Sequence, residues 1–211
     1  MGLLNTLLGR TKPVPANLDA LFALPSATIS LQSAAGIAAS GRAGVCYKPP
    51  TGQGFADMQA EVLTLLGMDG GGALRSEHDD YGYHWVVVEN PDIEALVSQV
   101  HLVNSSLSDA GWGPQLLCSV FGLAPVPDDA GAAALPSGVD GATVPGNGSV
   151  VPSTAFLVYL FKRGSFYPFV PDGPEHRDNA AELRLQSLVA GDLAVEPELD
   201  RWFPLWDLPL G

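Results

Sequence analysis

The chain has 211 residues, with 10 Lys+Arg against 23 Asp+Glu and a formal charge of −13 at pH 7. Its 46% hydrophobic content excludes wholesale disorder, and its acidic balance argues against nucleic-acid binding, which runs on Lys and Arg facing phosphates. The length suits one domain that needs no disulfide or metal staple.

The start, MGLLNTLLGR, places Leu3, Leu4, Leu7 and Leu8 on one side of a helical turn, with Asn5 and Thr6 opposite. Residues 1–15 therefore read as a short amphipathic segment. It could dock on the domain or on an oligomer partner, or lie at a membrane surface. Gly2 and Thr6 also fit the loose myristoylation pattern. Pro13 and Pro15 stop this segment. Asn17 then reads as the N-cap of a short helix through Leu18, Leu21, Phe22 and Leu24, ended by Pro25. The weak alternation of Ala27 to Gln32 predicts a strand, Ala34 to Gly44 a flexible stretch of small residues, and Gly44 to Lys48 a short strand. Gly54 to Leu66 reads as an amphipathic helix, with Phe55, Met58, Val62, Leu65 and Leu66 on one face and Gly70-Gly71-Gly72 at its end. A hairpin follows, from Leu74 to Glu77 and from Tyr83 to Glu89, turning at Asp79 to Gly82. Pro91 opens the clearest helix, in which Ile93, Leu96, Val97, Val100, Asn104 and Leu107 keep the helical period; Gly111 and Gly113-Pro114 close it.

Leu116 to Leu123 predicts a buried strand. Pro125 to Ser153 holds no Lys, Arg or aromatic residue and is rich in Gly, Pro, Ala and Ser, so it reads as a disordered insertion joining two neighbouring strands. Thr154 to Phe161, apolar on both faces, reads as a central strand. Lys162-Arg163-Gly164-Ser165 turns it into a further strand, Phe166 to Val170. Pro174 to Val189 is the last predicted helix, with Ala181, Leu185, Leu188 and Val189 on its apolar face and Gly191 as its cap. The tail carries Trp202, Phe203 and Trp206 in a short space. Hairpins separated by helices define an α+β domain over 16–211, an antiparallel sheet covered by helices on one face.

No constellation with a chemical motif emerges. His176-Arg177-Asp178-Asn179 echoes a kinase catalytic loop, but the position needing Asn is Leu183; the segment reads as a helix start with Asp178 at the positive end and Arg177 exposed. His78, Asp79, Asp80 and His84 match no standard metal spacing and read as a solvated turn. Cys46 and Cys118 each sit in an apolar run, like buried free thiols of a reducing compartment; one disulfide between them is the alternative. Cys118 with His101 as base, or the His78 cluster, would be needed for a hydrolase. The expectation is instead no enzyme, no cofactor and no metal. Lys162 and Arg163 are either a solvated turn or a contact for an acidic partner or anionic lipid. Trp202, Phe203 and Trp206 either fold onto the body or form an aromatic patch.

Several phrases resemble a known family. MGLLNTLLGRTKPVPANLDALFALP, GWGPQLLCSVF, LVYLFKRGSFYPFVP, HRDNAAELRL and RWFPLWDLP look like the actinobacterial PspA-associated protein family PspAB, outside Pro125 to Ser153. The resemblance implies a cytoplasmic, non-enzymatic accessory of the phage-shock envelope-stress system. Its implied partners are a PspA-like protein or an HtpX-like membrane protease, with peripheral contact at the inner face of the plasma membrane through Leu3, Leu4, Leu7 and Leu8 as an alternative. It carries over no catalytic residues. The order of hairpins and helices also resembles the YbjN or type III secretion chaperone-like architecture, which implies a binding module and does not settle function.

Overall fold

The computed structural model describes residues 16–48, 64, 73–126 and 152–210. Six antiparallel strands form one sheet: β1 (Ile37–Tyr47), β2 (Ala73–His78), β3 (His84–Glu89), β4 (Leu116–Pro125), β5 (Ala155–Leu160) and β6 (Ser165–Phe169). Their spatial order is β2-β3-β1-β4-β5-β6, so the first strand among the described residues lies inside the sheet. Among the described residues three α-helices, α1 (Leu24–Ala35), α2 (Ile93–Leu107) and α3 (Asn179–Val189), pack as a layer. The α+β class is as the pattern predicts.

Strand alternation divides the sheet into two cores. Val45, Tyr47, Val86, Val88, Phe121, Leu157 and Tyr159 face the helices and join Leu31, Leu96, Val97, Val100 and Leu185. Cys46, Trp85, Val87, Cys118, Val120, Phe156, Val158, Tyr167 and Phe169 face the other way. Helices cover one face, as the pattern predicts; Trp202 and Leu210, with Leu205, Trp206 and Leu208 packed behind them, close the second face.

The hairpin β2–β3 and the turn with Gly164 at φ 68 form where the sequence places them. So does the pairing of β4 with β5, the two strands that flank the insertion. The predicted strand Ala27 to Gln32 is instead part of α1. Pro25 sits in the first turn of that helix, where no N–H is needed, so it starts this helix where it was expected to end the preceding one. A 3-10 turn, Leu18–Ala23, leads into it, and the Asn17 side chain makes no capping bond. The stretch expected to be flexible supplies most of β1, which runs from Ile37 with an irregularity between Ala39 and Ala43 where Gly41 takes φ 77. Asp92 caps α2 by accepting from Glu94 and Ala95 N–H, which puts Pro91 just outside. Likewise α3 begins at Asn179 with Asp178 as its cap, five residues after Pro174, and ends at Val189 with Ala190, not Gly191, as its C-cap. The predicted helix over Gly54 to Leu66, apart from Thr64, the leucine segment at 1–15 and most of the insertion lie outside the described residues.

One polar contact registers α2 over the sheet. The fully buried Asn104 donates through Nδ2 to Val100 O at 2.8 Å and to Ser119 Oγ of β4 at 2.9 Å. Replacing Asn104 with Ala strands the Ser119 hydroxyl in an apolar interior, so urea unfolding of that variant shows a loss of about 1–3 kcal/mol.

Candidate functional site

The second sheet face owes its roof to charge and hydrogen bonding, since the segment over it has little regular structure of its own beyond the 3-10 turn Leu199–Arg201. The segment first adds to the edge of β6: Phe166 N donates to Ala194 O at 2.8 Å and Glu196 N to Phe166 O at 2.7 Å. The Glu196 carboxylate is 1% exposed, and accepts from Arg163 Nε at 2.6 Å and Ser165 Oγ at 2.7 Å. Burial alone would raise its pKa. The bonds from Ser165, Arg163 and the Glu198 N–H, with the Arg163 charge, outweigh burial and hold it below the usual carboxylate range.

Further along, Trp202 is buried, with its indole N–H on Glu196 O at 3.0 Å. Its carbonyl accepts from Arg177 Nη1 at 2.6 Å. Arg177 also grips the buried Glu182 of α3, with Nε at 2.9 and 3.0 Å from the two carboxylate oxygens. The expectation of an exposed Arg177 is therefore corrected, since it ties the last helix to the roof. Tyr167 OH donates to Phe203 O at 2.8 Å. At the far end, Arg42 Nη1 donates to Leu210 O at 3.1 Å and Arg75 Nη2 to Pro209 O at 2.8 Å. Gly44 makes room beneath: a Cβ there would lie 3.1 Å from the Trp85 ring and 3.3 Å from Leu210.

Between roof and sheet lies a cleft of about 540 Å³. Cys46, Trp85, Leu117, Cys118, Leu160 and Tyr167 form its floor and walls, while Asp79, Tyr81, Tyr83 and the run Phe203 to Trp206 complete its lining. Asp79 is no merely solvated turn residue. Its Oδ1 accepts from Tyr81 N at 3.0 Å and Tyr83 N at 2.8 Å, and its Oδ2 from Trp85 Nε1 at 2.9 Å, which fixes the indole against the floor. At the edge, Lys48 Nζ lies 5.3 Å from the centre of the Tyr83 ring. Two rim rings, Tyr81 and Phe203, are 53% and 57% exposed, and Trp206 is half-buried.

The residues singled out in the sequence separate accordingly. Phe203 and Trp206 come together at the cleft. Trp202 is a buried anchor, and Arg163 is held by Glu196; of the predicted cation pair, Lys162 is exposed with no contact of that kind to the roof. Leu3, Leu4, Leu7 and Leu8 lie outside the described residues. Cys118 and His101 are not brought together: Cys118 faces the roof, whereas His101 on α2 lies against Phe22 at 5.0 Å between ring centres. His78 and His84 do meet, ring edge to face at 3.9 Å. Burial, and the neighbouring His78, lower the His84 pKa. Among the described residues no group of three or more His, Cys, Asp or Glu side chains could hold a metal ion, and no helix is long and apolar enough to cross a membrane. Sequence reasoning missed Tyr81, Tyr83 and Trp85 as neighbours of the tail; the two cysteines, for which one disulfide was the alternative, are free and lie opposite one another.

Fold and cleft define an α+β domain whose antiparallel sheet carries helices on one face and a strapped, aromatic tail on the other. A family model described as PspAB, PspA associated protein B, matches residues 1–210, and the chain belongs to that family. The matched span runs through the Pro125 to Ser153 stretch. Comparison with curated proteins and with solved structures gave no match.

The depressed pKa of Glu196 has a definite sign. Its contribution to stability is complete above the unfolded carboxylate value of ~4.3 and is lost as pH falls through the lower folded value. Glu196→Gln costs about 1–3 kcal/mol at neutral pH. It also flattens the acid limb of the stability profile, measured by urea unfolding from pH 3 to 7.

Proposed function

We propose that this PspA-associated protein is a non-enzymatic accessory of a phage-shock-type envelope-stress response. It works in the cytoplasm, at the inner face of the membrane, by holding a PspA-like protein. The observation that carries the reading is the cleft under the tail, an apolar recess with two half-exposed aromatic rings at its rim. Concave apolar recesses rimmed by aromatic rings are where protein interfaces concentrate their energy. The family's association with PspA supplies the kind of partner. Chemistry is a poorer fit to the same place. The one carboxylate in the lining, Asp79, is already engaged by two backbone N–H groups and an indole.

The sheet itself offers the partner little, because its faces carry helices and tail. The apolar segment of a PspA-like protein would enter the cleft against Tyr81 and Phe203, with Trp206 behind them. Truncating Phe203 removes an exposed ring whose backbone carbonyl, not its side chain, takes the Tyr167 hydroxyl.

The test is binding of the purified chain to the purified PspA-like protein of the same organism, with the HtpX-like protease measured beside it. Phe203→Ala weakens PspA binding by about tenfold or more, while its thermal unfolding stays close to that of the parent. Absence of binding, equal binding by the variant, or binding to the protease alone each overturns the proposal.

A further inference from the structure

The chain has two cysteines, and the fold sets them opposite one another. Cys46 of β1 and Cys118 of β4 are register partners, on the face that points into the cleft. Both are free thiols, 3% and 6% exposed. The register shifts at this point, from Cys46 opposite Cys118 to Tyr47 opposite Leu116, which makes Leu117 an extra residue in β4. Such a bulge twists the strand locally and turns neighbouring side chains towards one face, and Leu117 lines the cleft together with Cys118.

We propose that Cys46 and Cys118 are a modification site: a dithiol that a peroxide converts into a reversible cross-strand disulfide within the chain. Side chains directly opposite in an antiparallel pair have Cβ atoms ~4.5–5.5 Å apart, and a disulfide draws them to ~3.8 Å, so only a small local adjustment closes the bond. A bond made under that adjustment is more readily reduced than a relaxed structural disulfide. The cleft gives a small oxidant a path to both sulfurs.

The chemistry balances. The thiolate of Cys118, the more exposed of the two, attacks one peroxide oxygen; the O–O bond breaks, leaving a sulfenic acid and, after proton uptake, water. The Cys46 sulfur then attacks the Cys118 sulfur, the S–O bond breaks, and hydroxide leaves as a second water. Two thiols and one peroxide give one disulfide and two waters, with two electrons passing from sulfur to oxygen. The neighbouring Cys118 thiol, and burial, raise the Cys46 pKa and keep that thiol protonated at neutral pH. Oxidation is therefore slow beneath the closed roof and faster at higher pH. Phe203 to Trp206, which line the cleft over the pair, control access. This site is independent of whether the cleft also holds a partner.

The experiment exposes the purified full chain to hydrogen peroxide, quenches it in denaturant with a thiol-alkylating reagent, and reads the mass. The expected product is lighter than the parent by about 2 Da, takes no alkyl group, yields a linked Cys46–Cys118 peptide, and returns to the dithiol with dithiothreitol. Trp206→Ala forms it about tenfold faster or more, as access to the sulfurs improves. Cys46→Ser leaves Cys118 to go on to sulfinic acid or to a dimer linked between chains. The proposal fails if both thiols survive excess peroxide in the parent and in Trp206→Ala. It fails equally if the parent gains oxygen on each sulfur or links between chains in place of the internal bond.

Discussion

Everything on the second sheet face hangs on the buried Glu196 carboxylate. A tail whose regular structure is one short 3-10 turn cannot hold itself on an apolar surface by backbone pairing alone, and hydrophobic burial does not specify its path. Glu196 supplies the specification. Its backbone joins the edge of β6, its side chain takes Arg163 and Ser165, and its carbonyl takes the Trp202 indole. An uncompensated buried carboxylate would be costly, so these donors and the carboxylate require one another. Once this corner is set, Arg177, Tyr167, Arg75 and Arg42 carry the tail across the sheet to Leu210 by bonds to its carbonyls. The cleft is the space that such a strap leaves when it is pinned at intervals rather than packed throughout.

This also explains how a strongly acidic protein uses its few cations. Arg42, Arg75, Arg163 and Arg177 all serve the roof or its anchors. A guanidinium can reach a carbonyl and a carboxylate at once because its donors fan out in a plane; Arg177 does so between Glu182 and Trp202. The adjacent cations Lys162 and Arg163, alike as text, differ here because only one of them lies beside the β6 edge that receives the tail.

The sequence was readable where periodicity and turn chemistry coincide. The α2 face, the β2–β3 hairpin and the Gly164 turn carry both signals, and all three stand as predicted. It was misleading where residues are small. The Ala, Ser and Gly of 34–44 carry no strand signature, yet β1 runs through them because β4 pairs alongside; Pro25 looks the same at the start of a helix as at the end of one. The tail and the cleft were legible only as aromatic density: Trp202, Phe203 and Trp206 stand out, but nothing local distinguishes the buried anchor from the exposed ring. The meeting of Cys46 with Cys118 has no local signal at all, since it depends on the register between two strands far apart in the chain.

The interior position of β1 divides the sheet into two cooperative units that share one member. The β2–β3 hairpin pairs with it on one side and the β4–β5–β6 meander on the other. Neither unit touches the other through the sheet except by way of this strand. Local opening of either flank can therefore proceed while β1 remains paired with the opposite one, whereas losing β1 dissolves both. The strand acts as a shared hinge pin. Amide exchange would be slowest along it and would fall away in two separate grades towards β2 and towards β6, so that motion at the hairpin edge need not be felt at the meander edge.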